Sequence, residues 1–192
     1  MARSHQTWGR TEATQSGAFY WHPCRESASV ASRFLAMRIA LYEPDIPQNT
    51  GTILRLCACL GIEADIIEPA GFPTSDRAFR RAGMDYLDAV ALRRHRSWSE
   101  FETWRRAENR RLVLFTTAAE QSYLDYRFAA DDVLLFGRES AGVPAEVHAA
   151  ANVRLVIPMR RGLRSLNVAM AVAMAAGEAL RQTDGIANDS KA

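Results

Sequence analysis

The feature that most constrains this chain is a pair of short apolar runs, each stopping abruptly in a loop of glycine, proline and polar residues. Leu134-Leu135-Phe136 runs into Gly137-Arg138-Glu139-Ser140-Ala141-Gly142-Val143-Pro144, and Leu155-Val156-Ile157 runs into Pro158-Met159-Arg160-Arg161-Gly162-Leu163-Arg164-Ser165-Leu166-Asn167. Short runs that are apolar on both faces suit strands covered by helices on either side, as in a parallel sheet. Loops at the ends of such strands are where α/β proteins receive ligands. The second loop leads into Val168-Ala169-Met170-Ala171-Val172-Ala173-Met174, apolar nearly all round, which predicts a helix buried on more than one side.

The upstream chain repeats the alternation. Residues 37–42 read as a first strand, and the prolines at 44 and 47 stop any helix across 43–48. Asn49 or Thr50 is expected to cap a helix that runs to about Leu60 and ends at Gly61. A second strand is expected at 64–67, a short helix from Ser75 or Asp76 through Arg81, and a third strand at 89–92. Ser97 with Glu100 makes a capping box, opening a helix whose Trp98, Phe101 and Trp104 read as core. Further strands follow at 112–115 and from Val133 and Val153. Strands alternating with helices in this way predict an α/β three-layer domain with a mainly parallel sheet.

At 192 residues and 48% hydrophobic, the chain suits one domain with a sizeable core and is not of a disordered class. Residues 1–36 lack periodicity and lack the apolar core of a signal peptide; they read as a disordered extension or as an upstream start ahead of Met37. The domain is expected over 37–182, with a disordered tail over 183–192. The net charge of +2 lies in those first 36 residues, four Arg against two Glu, so bulk charge does not announce a nucleic-acid binder. The three cysteines, Cys24, Cys57 and Cys59, have neither zinc nor disulfide spacing, which fits a reducing cytoplasm and no metal. The apolar run 168–176 is too short to span a bilayer, so no membrane partner is expected.

Some side chains stand out for their chemistry. Neither a Walker loop nor a Gly-x-Gly-x-x-Gly is present, which weighs against a nucleotide-binding oxidoreductase. Arg55 follows Asn49 by six residues amid Ile53, Leu54, Leu56 and Cys57; such an arginine snorkels or is paired. The clusters Arg77-x-x-Arg80-Arg81, Arg93-Arg94-His95-Arg96 and Arg160-Arg161-x-x-Arg164 are either phosphate contacts or solvated faces.

Three ordered blocks carry a family resemblance. Two of them, Phe136-Gly137-x-Glu139-x-x-Gly142-x-Pro144 and the stretch from Ile157-Pro158-Met159 to Arg164-Ser165-x-Asn167 at the head of an Ala-rich helix, resemble the SPOUT class of RNA methyltransferases. Glu43-Pro44-Asp45-Ile46-Pro47-Gln48-Asn49-Thr50-Gly51 with Arg55 sharpens the likeness toward the small tRNA 2′-O-methyltransferases of the wobble nucleotide. The resemblance spans about residues 37–182 and implies a C-terminal trefoil knot, a homodimer and S-adenosylmethionine as cofactor. It implies the anticodon stem-loop of tRNA, with leucine tRNAs foremost, as partner. By the same likeness Asn49 and Arg55 are catalytic, with Arg55 acting on the ribose 2′-hydroxyl as base or as stabiliser of the alkoxide. Gly137, Ile157, Ser165 and Leu166 are expected around the cofactor, with Phe115 as an apolar wall where relatives more often carry an aliphatic residue. A side chain at Gly137 would then fill the adenosine space. Arg164, Arg94 and His95 are expected on RNA, and Arg138 stands where many relatives have proline. The rival readings are 2′-O-methylation at another RNA position and a non-catalytic RNA-binding paralogue.

Overall fold

The computed structural model describes residues 37–75, 77, 79, 87–183 and 185. The expectations for 1–36, for most of the 75–81 helix and for nearly all of the 183–192 tail lie outside these residues.

Six short strands form one sheet in which every pairing is parallel. They are β1 (Arg38–Tyr42), β2 (Glu63–Ile67), β3 (Leu92–His95), β4 (Leu112–Phe115), β5 (Val133–Phe136) and β6 (Val153–Leu155), in the order β3-β2-β1-β5-β4-β6. The chain first builds outward from β1 to β3, then returns to lay β4, β5 and β6 on the other side of β1. That reversal of direction leaves a crevice beyond the carboxyl ends of β1, β5 and β4.

Side-chain alternation divides the core between two faces. Ile39, Leu41, Leu134, Phe136, Val113 and Phe115 point into one layer, covered by α1 (Pro47–Leu60) and the closing helix, α4 (Val168–Gln182). Ala40, Tyr42, Leu112, Leu114, Val133 and Leu135 point into the other, covered by α2 (Trp98–Ala107) and α3 (Ala145–Ala150). The result is the three-layer α/β arrangement expected.

Three local expectations are corrected. Helix α1 begins at Pro47, not at Asn49 or Thr50; Ile46 occupies the cap position and offers no side-chain hydrogen bond. Proline at the first position of a helix loses no hydrogen bond there, so the residue that was expected to block the helix starts it. Asn49 is thereby released from capping. The third strand is Leu92–His95, preceded by a 3-10 turn at Leu87–Ala89. It is an edge strand, where Arg93 can lie exposed, so its apolar signal is faint. The closing helix buries Ala169, Val172, Ala175 and Ala176 but leaves Met170 and Met174 52% and 43% exposed, so one apolar stripe faces outward.

The β3 correction also changes the reading of His95. It is only 2% exposed, its Nε2 lies 2.8 Å from Asp65 Oδ1, and its ring packs against Phe101 and Trp104. Asp65 is fully buried and is also gripped by Arg38, whose Nε donates to Oδ2 at 2.5 Å and whose Nη2 donates to Oδ1 at 3.3 Å. His95 is thus part of a buried ionic network and has no surface for a phosphate. The Arg38 guanidinium also sits over the Trp104 ring at 5.0 Å, and Phe101 is fully buried, so the aromatics of α2 serve the core.

Candidate active site

A cavity of about 440 Å³ opens in the crevice at the strand ends, a volume suited to a ligand of nucleoside size. Phe115 and Thr116 reach it from β4, Phe136 and Gly137 from β5, Val156 and Ile157 from beyond β6, and Asn49 from α1. Ser165, Leu166 and Asn167 close it on the way into α4. The structure therefore gathers Asn49, Phe115, Gly137, Ile157, Ser165 and Leu166 around one pocket, although they span more than half of the chain.

The first wall is aromatic. Phe115 stacks on Phe136 with centroids 4.9 Å apart and planes 12° from parallel, and Tyr123 and Phe128 pack behind Phe115. These rings fix a flat, apolar surface that a smaller aliphatic side chain at 115 would not provide.

The second wall is a tight hairpin after β5. Arg138 N–H donates to Gly142 O at 3.0 Å and Gly142 N–H donates back to Arg138 O at 2.9 Å, leaving three residues in the loop. Gly142 has φ +68°, the left-handed conformation such a three-residue loop requires. Gly137 is needed for a different reason: a Cβ there would lie 2.6 Å from the carbonyl carbon of Gly142. A side chain at 137 would collide with the opposite arm of the hairpin rather than fill ligand space, which corrects the expectation for that glycine. Arg138 uses its N–H in the hairpin, and proline has none to give. This hairpin bond thus excludes proline at the position.

The hairpin presents Glu139 to the loop between β1 and α1. Its Oε2 accepts from the Asp45 amide at 3.1 Å, and its Oε1 accepts from Asn49 Nδ2 at 3.0 Å. Asn49 Oδ1 in turn accepts from Asn167 Nδ2 at 2.9 Å, and Asn167 Oδ1 caps α4 by accepting from Ala169 N–H at 2.8 Å. One hydrogen-bonded line therefore ties all three sequence blocks together. It fixes both ends of the Asn49 amide and settles which oxygen and which nitrogen face which partner. Asp45 accepts from the Ser140 hydroxyl.

The remaining candidates lie off the pocket. Arg55 is exposed on α1, about 9 Å along the helix from Asn49 by the rise per residue. Arg164 is exposed in the loop beside Ser165. Arg94 belongs to β3, at the far edge of the sheet, where its Nε donates to Thr74 O at 2.8 Å and its guanidinium lies over Phe79. Neither Arg94 nor His95 shares a surface with the pocket lining. Sequence reasoning passed over Asp45, and it kept Asn167 as a motif residue without a site role. The one legible signal was the N-cap signature of an Asn before an apolar helical run.

Six parallel strands sandwiched between helices, with a nucleoside-sized pocket walled by loops from four strand ends, define an α/β protein with a ligand-sized site at the point where its strand order reverses. The chain belongs to the SpoU rRNA Methylase family, whose model matches residues 36–177. A tRNA (cytidine(34)-2′-O)-methyltransferase of Beijerinckia indica is 66% identical over 149 residues, covering 78% of this chain and 93% of that protein. A solved structure described as giving structural insights into the 2-OH methylation of C/U34 on tRNA is 43% identical with a TM-score of 0.71, covering 77% of this chain and 95% of that one. An AdoMet-bound rRNA methyltransferase from Sinorhizobium meliloti is 29% identical with a TM-score of 0.68, covering 76% of this chain and 56% of that one.

Proposed function

We propose that this protein is an S-adenosylmethionine-dependent methyltransferase that modifies the 2′-hydroxyl of the wobble pyrimidine, position 34, in tRNA, with leucine tRNAs foremost among its substrates. The observation that carries the reading is the Glu139–Asn49–Asn167 line, which joins the three family blocks at the edge of one nucleoside-sized pocket. The pocket suits the cofactor. Phe115, Phe136 and Ile157 offer apolar walls to a purine, and Thr116 and Ser165 offer hydroxyls to a ribose. Glu139 puts a carboxylate in the lining, complementary to a positively charged group. When bound, S-adenosylmethionine supplies an electrophilic methyl group to the ribose oxygen.

The protein's part is to bind, orient and manage one proton. A ribose hydroxyl must lose its proton as its oxygen forms the new bond to carbon. Arginine stays protonated, so Arg55 acts by stabilising the developing alkoxide, while the proton leaves through a substrate phosphate or water. Asn49, held at both ends, serves as a rigid polar anchor beside the reacting ribose. Arg164 and its neighbours Arg160 and Arg161, all exposed in the loop between Met159 and Ser165, supply phosphate contacts for the anticodon stem-loop.

The same reading includes a C-terminal segment threaded as a trefoil knot, a homodimer and a cytoplasmic location. Leu166, Met170 and Met174, exposed together along the start of α4, support self-association. No helix among the described residues is long and apolar enough to cross a membrane, and no cluster among them could hold a metal.

The test is to incubate the purified protein with bulk tRNA and S-adenosylmethionine, then locate 2′-O-methylated nucleosides by mass spectrometry. Methylation at position 34 is expected; a product elsewhere would replace the substrate assignment, and no product would remove the activity. Arg55→Ala should slow single-turnover methylation roughly a hundredfold, about 3 kcal/mol, with cofactor affinity unchanged. A near-normal rate would take Arg55 off the catalytic list.

A further inference from the structure

We infer that Arg138 is a positioning residue that shapes the ligand pocket, by clasping the β5 hairpin to the loop between β1 and α1. The inference rests on reading the pocket as the S-adenosylmethionine site. Three consecutive hairpin residues reach across to the same short loop. Arg138 Nη1 donates to Glu43 Oε2 at 3.0 Å, and its Nε lies 3.8 Å from Asp45 Oδ2. Glu139 accepts from the Asp45 amide and from Asn49, and the Ser140 hydroxyl donates to Asp45. Arg138, Glu139 and Asn49 all line the cavity, so any movement of the hairpin changes the cavity itself.

The arrangement brings three carboxylates, Glu43, Asp45 and Glu139, to one edge of the pocket. Arg138 is the cation that bridges the first two. An ion pair a third exposed contributes little to global stability, so stability is not its main effect. What it does is local. Without the guanidinium, Glu43 and Asp45 are left as like charges against a hairpin that carries a further carboxylate. The hairpin should then swing away and loosen the grip of Glu139 on Asn49. The planar fork of arginine spans both acids at once, which a lysine ammonium does not.

The experiment compares wild type with Arg138→Gln, Arg138→Lys and the triple variant Arg138→Gln/Glu43→Gln/Asp45→Asn. Arg138→Gln should raise the dissociation constant for S-adenosylmethionine about tenfold, a size usual for a coupled charge network. Its KM for the cofactor should rise in step. Arg138→Lys should recover part of the affinity, and the triple variant should recover at least half of the loss on a logarithmic scale. Hydrogen exchange provides a readout without any ligand. The Asp45 amide, held by Glu139, and the Gly142 amide, held by Arg138 O, should exchange faster in Arg138→Gln while the amides of β1 and β5 do not. Affinity within twofold of wild type in Arg138→Gln, or no recovery in the triple variant, overturns the inference. So does unchanged exchange at Asp45 and Gly142. Should wild type itself bind no S-adenosylmethionine, the functional reading fails, and the exchange comparison alone decides whether the clasp exists.

Discussion

Gly137→Ala should cost far more than one added methyl group suggests. The new Cβ would lie 2.6 Å from the Gly142 carbonyl carbon, 2.8 Å from its oxygen and 2.9 Å from its Cα. Carbon atoms settle at about 3.5–4.0 Å, so one arm of the hairpin must retreat by about 1 Å. All three atoms it meets are backbone, which cannot rotate away as a side chain would. The retreat breaks the reciprocal hydrogen bonds of Arg138 and Gly142, 3.0 and 2.9 Å long. Overpacking of this kind costs about 1–3 kcal/mol, and the hairpin bonds bring the loss toward the upper end. In a chain of this size that is a fall in Tm of about 5–10 °C. Gly142→Ala is the control. It too has a demanding backbone, φ +68°, but nothing lies within 4 Å of its added Cβ, so it should lose only about 1–2 kcal/mol from the left-handed conformation. Differential scanning calorimetry on both variants, followed by titration with S-adenosylmethionine, reads the order directly. The expected order has Gly137→Ala as the less stable protein and the weaker binder. If Gly142→Ala is worse in either measure, or Gly137→Ala melts within 1 °C of wild type, the close-approach argument is wrong.

Two further outcomes test the body of the fold. Asp65→Ala strands His95 in a buried site and leaves Arg38 with Glu63 as its remaining ion-pair partner, and should destabilise by about 3 kcal/mol in urea unfolding; a loss under 1 kcal/mol would mean that the network is dispensable. Cys57 is fully buried and its thiol is pushed up to about 12 from 9.0, first by desolvation, whereas Cys59 is exposed. In a Cys24→Ser background, a thiol reagent at pH 8 should therefore label one cysteine in the native protein and two in denaturant. Between pH 9 and 12 the folded protein keeps a proton at Cys57 that the unfolded chain releases, so stability should fall as pH rises through that window. Rapid native labelling of both thiols would contradict this burial.

Parts of the molecule were legible without coordinates because they depend on neighbours in sequence. The apolar runs at 112–115 and 133–136 are strands because they are uniformly apolar, short and bounded by loops. The cap at Ser97 forms, with Ser97 Oγ accepting from the Glu100 amide at 3.2 Å, while the return bond of the expected capping box shifts by one residue, Glu100 Oε2 accepting from the Arg96 amide at 3.0 Å. The family resemblance named Gly137, Ile157, Ser165 and Leu166 around a cofactor and Asn49 among the catalytic residues, and these five line one cavity. What tertiary structure alone decided is everything that depends on partners distant in the chain. The strand order β3-β2-β1-β5-β4-β6 follows from which strands pair across long crossovers, and no local pattern encodes that. His95 reads as part of a basic surface run, yet it lies beneath α2 because Asp65, thirty residues earlier, requires a buried partner. Asn49 reads as a helix cap, yet it joins Glu139 to Asn167, residues 90 and 118 positions away. Gly137 and Gly142 look alike as letters. One is required because a Cβ would lie 2.6 Å from the facing backbone and the other by its own dihedral angle, a difference that exists only once the hairpin has closed.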